Sequence, residues 1–379
     1  TRKESSAASD VYKRQLYTLF IFMKQVAIVG IQGVPARYGG FETLVENIIG
    51  DNCCSEVRYT VFCSGKDYAA RMKTYKGAQL KYVSLFHANG AQSTPYDILS
   101  MLKCLRGYDA VVILGVSGCI FLPIFRLLYR KRLIVNIDGL EHRRAKWGRF
   151  AKWFLRTSEA MAVRYADVVI TDNKGIQDYV TDSYHKHSEL IAYGGNHVLR
   201  DVPMMRQNEI LEKYGLIKKE YAVSICRIEP ENNCHITLEA FAEAGQKLVF
   251  IGNWKYSTYG KELQRKYSKY PNICMLSAVY ALDVLYTLRN NARVYIHGHS
   301  AGGTNPSLVE AMFFGKPILA YDVVYNRETT ENKAHYFRDC EQLVELLHGT
   351  EENGEPLKEV AERRYTWEYI AKQYEALYE

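Results

Sequence analysis

Residues 294–317 read Val-Tyr-Ile-His-Gly-His-Ser-Ala-Gly-Gly-Thr-Asn-Pro-Ser-Leu-Val-Glu-Ala-Met-Phe-Phe-Gly-Lys-Pro, which spells a strand, a glycine-rich turn and a helix in that order. Val294, Tyr295 and Ile296 favour a strand. Asn305 suits an N-cap and Pro306 the first helical position, so the spacing predicts a helix from near Ser307 that stops at Gly315. Glycines at such a turn let backbone approach a ligand closely, and free N–H groups at a helix start favour an anion. Glu310 lies one turn inside the helix among Leu308, Val309, Ala311 and Met312, and a carboxylate in that company needs a definite partner. His297 and His299 lack a third ligand at matching spacing, so hydrogen-bonding or packing roles are expected of them rather than metal binding.

The same strand-turn-helix pattern extends in both directions. Strands are expected at 26–29, 59–63, 80–83, 110–114, 133–136, 168–171 and 189–191, with amphipathic segments such as 41–49 and 152–165 between them. The series pauses at 193–207, around Gly194, Gly195 and Pro203. A second series follows, with strands at 221–225, 247–251, 273–276, 294–296 and 317–320 and helices at 208–214, 236–244, 260–270, 283–290, 307–314 and 342–347. Such alternation predicts an α/β chain built from two Rossmann-like domains. The expected division is a leader at 1–22, an N-terminal domain at 23–205, a C-terminal domain at 206–365 and a closing helix at 366–379 that could cross back to the first domain.

Length and composition agree with this reading. The 379 residues favour two domains, and 47% hydrophobic with 24% charged residues excludes a mostly disordered chain. Net charge is +7, of which +2 lies in residues 1–22, too mild to argue for nucleic acid. Nine scattered cysteines without a CxxC spacing suggest neither a disulfide framework nor a zinc site, and a reducing cytoplasm fits them. Residues 1–22 are expected to be a non-native or disordered leader before Met23. The hexapeptide Asp10-Val-Tyr-Lys-Arg-Gln15 reads like a translated sequencing-library transposon end, and the apolar run after it is short for a signal peptide. The longest uncharged stretch, 110–125, is broken by Gly115, Ser117, Gly118 and Pro123 and falls short of the roughly 20 residues that span a bilayer.

A second glycine-rich turn follows the first strand, Gly30-Ile-Gln-Gly33-Val-Pro-Ala-Arg37-Tyr-Gly39-Gly40-Phe-Glu42. A phosphate site at Gly39 and Gly40 is plausible there. The spacing is not the dinucleotide fingerprint, and the second strand ends at Cys63-Ser-Gly rather than at a ribose-binding acid, which argues against a nicotinamide enzyme. Asp138 and Glu141, in NIDGLEHRRAKWG, and Asp172, in ITDN, follow predicted strands at the carboxyl end of the sheet. Any of the three could orient or deprotonate a ligand hydroxyl, or brace a loop.

Together, GIQGVPARYGGFETLVENI, NIDGLEHRRAKWG, RIEPENN, GNWKYSTYG, HSAGGTNPSLVEAMFFGKPILAYD and YNRETTEN resemble the retaining nucleotide-sugar glycosyltransferases of family 4, and more closely the rhamnosyltransferase branch of bacterial cell-wall and capsular polysaccharide synthesis. The resemblance runs from Met23 to the C-terminus and implies a GT-B fold, two Rossmann-like domains facing across a cleft. It implies transfer of L-rhamnose from dTDP-rhamnose to a lipid-diphosphate-linked glucose or N-acetylglucosamine, with retention and without a metal or cofactor. The alternatives are a UDP- or GDP-sugar donor, or a non-catalytic nucleotide-sugar-binding partner of an assembly complex.

The family has two glutamates seven residues apart, one near the donor sugar and one on ribose hydroxyls. Glu310 matches the second, whereas Gly302 stands at the first position. Donor contacts are therefore expected from Thr304, Asn305 and the loop amides around Gly303. The family's diphosphate arginine is matched by Arg227, but its lysine position is Asn232, so Lys255 or Arg37 is expected to supply charge. Between Arg126 and Arg156 ten basic residues face two acids, interleaved with aromatic side chains. This suggests a peripheral enzyme docked on the inner face of the plasma membrane through Arg143, Arg144, Lys146, Trp147, Arg149 and Trp153.

Overall fold

The structure is a computed structural model that describes residues 23–37, 39–50, 56–144, 147–349 and 353–379; the expected leader and Lys146 lie outside the described residues. The chain divides into two compact units, each assembled from separate stretches of sequence.

The first unit comprises the chain up to Ile137, Leu155–Ile170 and Ala371–Glu379. Its elements begin with β1 (Lys24–Val29), α1 (Gly40–Ile48), β2 (Val57–Ser64), β3 (Thr74–Tyr75) and β4 (Ala78–Val83). After them come α2 (Ser93–Lys103), β5 (Ala110–Leu114), α3 (Leu122–Leu128) and β6 (Arg132–Asn136). The helix α4 (Arg149–Tyr165), which belongs to this unit from Leu155 onward, and β7 (Val168–Thr171) complete the main run. Within this unit the strands run β3-β4-β2-β1-β5-β6-β7, all parallel except the β3 hairpin strand. The stretches 26–29 and 110–114 are wholly apolar because helices cover both faces of a parallel sheet. β1 lies between β2 and β5, so the chain leaves it toward either side and the loop after it, 30–39, sits at a topological switch point. At the C-terminal end, Lys24 Nζ donates to the Tyr378 carbonyl (2.9 Å), Arg132 Nε to that of Leu377 (3.0 Å) and Asn136 Nδ2 to the Tyr374 hydroxyl (2.9 Å).

The second unit comprises Asp138–Phe154 and Thr171–Ile370. It contains α5 (Lys174–Tyr184), the short β8 (Glu189–Leu190), α6 (Met204–Lys213), β9 (Tyr221–Ile225), α7 (Cys234–Ala244), β10 (Lys247–Ile251) and α8 (Thr258–Tyr267). There follow β11 (Ile273–Leu276), α9 (Leu282–Asn290), β12 (Val294–His297), α10 (Pro306–Met312), β13 (Ile318–Tyr321), α11 (Val324–Thr329) and β14 (His335–Phe337). The run closes with α12 (Cys340–Gly349), α13 (Glu355–Arg364) and the first residues of α14 (Trp367–Ala376). Six strands form a parallel sheet in the order β11-β10-β9-β12-β13-β14. Alternate side chains feed two cores: Tyr221, Val223 and Val249 enter one, and Ala222, Leu248 and Phe250 the other. The switch point lies between β9 and β12, so the loops 226–233 and 298–305 meet at the carboxyl end of the sheet.

The division differs from the boundary expected near residue 205. Residues 138–154 and 171–205 belong with the second unit, where Asp172 packs on Gly303 and Asn173 Nδ2 donates to Glu328 on α11 (2.9 Å) and lies 3.3 Å from the Thr304 hydroxyl.

Candidate active site

The 298–305 turn is built from close backbone approaches. A Cβ at Gly303 would fall 1.8 Å from Asp172 Oδ1, and one at Gly139 only 2.8 Å from the Gly302 Cα, so segments 138–139, 172–173 and 302–304 stack on one another only as glycines allow. Gly302 has φ +94°, which disfavours any side chain, and within 4 Å of its absent Cβ lies only His299 Nε2, at 3.6 Å. Thr304 is buried; its hydroxyl donates to the Asp172 carbonyl (2.5 Å) and lies 3.3 Å from the donating Asn173 Nδ2. Asn305 accepts from the Ser307 amide (3.0 Å) and caps α10 as expected, with Pro306 its first residue; the helix ends at Met312, short of the stop expected at Gly315. Thr304 and Asn305 therefore hold the turn in shape with the atoms expected to meet a sugar.

The loops after β9 and β12 are stitched together by side chains. Asn232 Nδ2 donates to the Arg227 carbonyl (2.7 Å), which leaves its oxygen to accept from His299 Nδ1 (2.6 Å). Asn233 Nδ2 donates to the Gly298 carbonyl (2.9 Å), and Ser300 donates to the Glu231 carbonyl through its amide (2.9 Å) and hydroxyl (2.8 Å). Asn232 thus acts on backbone and on His299, with both ends of its amide engaged. Burial pushes His297 down to about 3, and burial with His297, Arg144 and Arg227 nearby pushes His299 well below the usual imidazole range. Both rings are neutral at physiological pH.

Arg227 follows β9 and is 38% exposed, with Glu229 Oε2 3.9 Å from its Nε. Arg144 is only 14% exposed; its Nε meets Glu141 Oε2 at 2.9 Å, and Trp147 Nε1 donates to Glu141 Oε1 at 3.0 Å. Arg144 and Trp147, expected on a membrane-facing surface, are thus turned inward by the Glu141 carboxylate. Burial raises the Asp138 pKa and Glu141 raises it further, while Arg144, the Gly139 amide and Arg227 oppose the rise. Burial, with Asp138 beside it, raises Asp172 well above the carboxylate range, and its Oδ1 has no hydrogen-bond partner among the described residues. Asp172 is 2% exposed against Gly303, a bracing position that distinguishes it from Asp138 and Glu141. Lys255 is exposed in the turn after β10.

Glu310 has the definite partner its surroundings required: Arg289 Nη2 on α9 pairs with its Oε2. Trp367 Nε1 donates to His197 Nδ1 (2.9 Å), so the His197 proton sits on Nε2, 3.6 Å from Glu310 Oε1. Arg289 is a residue that sequence reading missed; nothing in LDVLYTLRN marks it.

In the first unit, the turn after β1 is closed by its own carboxylates. Glu42 Oε1 accepts from the Gln32 amide (2.9 Å), Glu46 Oε2 accepts from the Ala36 amide (2.5 Å), and the absent Cβ of Gly39 would fall 2.0 Å from Glu42 Oε2. An anion at Gly39 and Gly40 has to displace Glu42. Arg37 donates to the Asp67 carbonyl (2.8 Å) and lies over the Tyr68 ring. Phe125 and Tyr129 stack in the core, Arg126 pairs with Asp167, and Lys131 with Asp109, so part of the basic segment is neutralised or buried. In the second unit Arg143 lies 4.8 Å over Tyr179, and Arg149 is exposed beside Phe150 (76% exposed) and Trp153 (62%), whose rings are 5.8 Å apart. No helix among the described residues is long and apolar enough to cross a membrane, and no three His, Cys, Asp or Glu side chains among them gather as metal ligands.

Residues 206–367 match the family model described as glycosyl transferases group 1, and residues 23–196 match a domain of unknown function, DUF1972. No curated protein matches the sequence. Among solved structures, the chain is similar to sucrose-phosphate synthase from Thermosynechococcus elongatus, at 15% identity and TM-score 0.77 over 94% of this chain and 98% of that one. It is similar to Anabaena HepE in complex with UDP-glucose, at 14% identity and TM-score 0.72 over 94% and 99% of the two chains. The catalytic domain of starch synthase IV from Arabidopsis thaliana, bound to ADP and acarbose, matches at 12% identity and TM-score 0.67 over 94% and 98%. The fold is of GT-B type, with two parallel-sheet domains.

Proposed function

We propose that this chain, whose residues 206–367 form a glycosyl transferases group 1 domain, is a retaining glycosyltransferase that moves L-rhamnose from dTDP-rhamnose to a lipid-diphosphate-linked glucose or N-acetylglucosamine. The observation that carries the reading is the meeting of Arg144 and Arg227 near Asp138 and His299 at the switch point of the second sheet. Two guanidinium groups beside an open glycine turn suit a diphosphate, and fixed cations stabilise it most as it departs with its negative charge. The bond from the sugar C1 to phosphate oxygen breaks as the acceptor oxygen bonds to C1 on the same face. The acceptor's proton passes to Asp138 or to the departing phosphate. Asp138 suits the part better than Glu141, which is committed to Arg144 and Trp147, because its raised pKa brings it nearer that of a general base. Glu310 is assigned to a nucleotide sugar hydroxyl, oriented by Arg289.

A UDP-sugar donor is the second reading, favoured by the UDP and UDP-glucose complexes of HepE. A panel of dTDP-, UDP- and GDP-sugars with a synthetic lipid-diphosphate acceptor, read by mass spectrometry in the presence of EDTA, tests both. Transfer from dTDP-rhamnose is expected to survive chelation. Transfer from none of the donors, with or without magnesium, overturns the transferase reading.

The lipid-linked acceptor places the enzyme at the cytoplasmic membrane face, and the exposed Arg149, Phe150 and Trp153 group supports docking there. Anionic vesicles are expected to co-sediment the protein at low salt and to release it as salt rises. Binding that survives Arg149→Glu combined with Trp153→Ser argues for another surface.

A further inference from the structure

Cys226 and Cys234 bring their sulfurs to 3.8 Å, the only thiol pair in contact among the described residues. Cys226 follows the last residue of β9 and Cys234 opens α7, so the two stand at the neck of the loop that carries Arg227 and Asn232. Cys226 is half-buried and Cys234 fully buried. The Cys234 sulfur also lies against backbone, 3.9 Å from the Arg227 carbonyl oxygen and 3.8 Å from that of Glu229. A disulfide requires the sulfurs to close to about 2.05 Å. That movement draws Cys234 away from the two carbonyls and reshapes the segment that positions the Arg227 guanidinium.

We infer that Cys226 and Cys234 form an oxidation site, a dithiol that a small peroxide converts to a disulfide and that thereby weakens the diphosphate-binding loop. The Cys226 sulfur attacks one peroxide oxygen, becoming a sulfenic acid and releasing water. The Cys234 sulfur then displaces the sulfenic oxygen, which leaves as a second water. Two thiols and one hydrogen peroxide give one disulfide and two waters, the sulfurs losing the two electrons that peroxide gains. Residue exposure sets the order, because Cys226 is half-buried and Cys234 fully buried, while Cys234 needs no access for the intramolecular second step. Hydrogen bonding to Cys234, and burial after it, hold the Cys226 thiol well above its ordinary pKa, so the reaction is slow.

The modification is read by mass and does not depend on the transferase reading; its effect on binding rests on that reading. The full chain is treated with hydrogen peroxide, and the expected product is about 2 Da lighter, with a peptide that joins residues 226 and 234 and separates on reduction. Calorimetry with dTDP and with UDP is expected to show about tenfold weaker binding of the preferred nucleotide after oxidation, restored by dithiothreitol. Cys226→Ser and Cys234→Ser, each checked for native melting, are expected to bind like the untreated protein and to ignore peroxide. Peroxide that yields only sulfinic or sulfonic acids at these positions, or a linked peptide with unchanged nucleotide affinity, overturns the inference. Untreated protein that binds neither nucleotide overturns the proposed function while the linked peptide still stands.

Discussion

Two glycine-rich turns stand at two switch points, one after β1 and one after β12, and they treat negative charge in opposite ways. The first turn is filled by its own acids: Glu42 and Glu46 take the amides of Gln32 and Ala36, and Glu42 packs against Gly39. The second carries a carboxyl too, Asp172, whose Oδ1 lies against Gly303. Asp172 behind it is held toward its neutral form, and Arg144 and Arg227 supply positive charge around the neutral His299. A glycine-rich turn at a helix start is therefore not enough to define a phosphate site. What decides is which charges the protein has already placed around it.

The contrast is most exposed to test at Asp138. Asp138→Asn is expected to lower turnover by about a hundredfold or more while nucleotide affinity stays nearly intact. Equal loss of nucleotide binding moves the residue to the donor side and removes the base from the second turn. Next in size is Glu310→Gln, expected to weaken donor binding by about ten- to a hundredfold. Because Arg289 is buried and pairs with Glu310, the same substitution is expected to cost about 1.5–3 kcal/mol in denaturant unfolding. An unchanged donor titration with full stability excludes Glu310 from the site.

Glu42→Gln tests the first turn directly. Stability is expected to fall by about 1.5 kcal/mol with nucleotide affinity unaltered. Tighter nucleotide binding by this variant breaks the comparison, since it means that Glu42 competes with a phosphate. A further test, of protonation rather than of the turns, concerns Asp97, a buried carboxyl of the first unit that accepts from Ser117 and whose pKa burial raises to about 7. Its folded pKa exceeds its unfolded value of 3.8, so between about pH 4 and pH 7 the unfolded chain releases a proton that the folded chain keeps. Stability from this residue is thus full at low pH and lost as pH rises toward 7. Subtracting the pH profile of Asp97→Asn from that of the native protein is expected to leave this downward slope; a flat difference shows that Asp97 is ionised throughout.

Much of the fold was legible because parallel strands buried on both faces are apolar without interruption, as in 110–114 and 248–251, and the expected bounds 110–114 and 247–251 agree with those observed. β14 was not, since only Phe337 of its three residues is buried and the pattern is too short to register. Asp138 was singled out because it follows a strand, where open α/β sheets present ligand-binding side chains, and Arg227 because it matches the diphosphate arginine that the resemblance implies. Arg144 was misassigned to a membrane surface for an instructive reason: a charge count along the chain records how many cations are present, not which way each one points. The Glu141 carboxylate three residues earlier draws Arg144 inward, and neighbouring Arg149 stays exposed.

The sequence by itself determined the strand-helix alternation, the two sheets and the positions of the glycine turns, because hydrophobic periodicity, caps and φ preferences are properties of neighbouring residues. Only the tertiary structure decided which charges gather at each turn. That depends on residues distant in sequence, such as Arg144 and Arg227 acting on His299, or Arg289 on Glu310, and electrostatic pairing is set by distance in space, which no local pattern records.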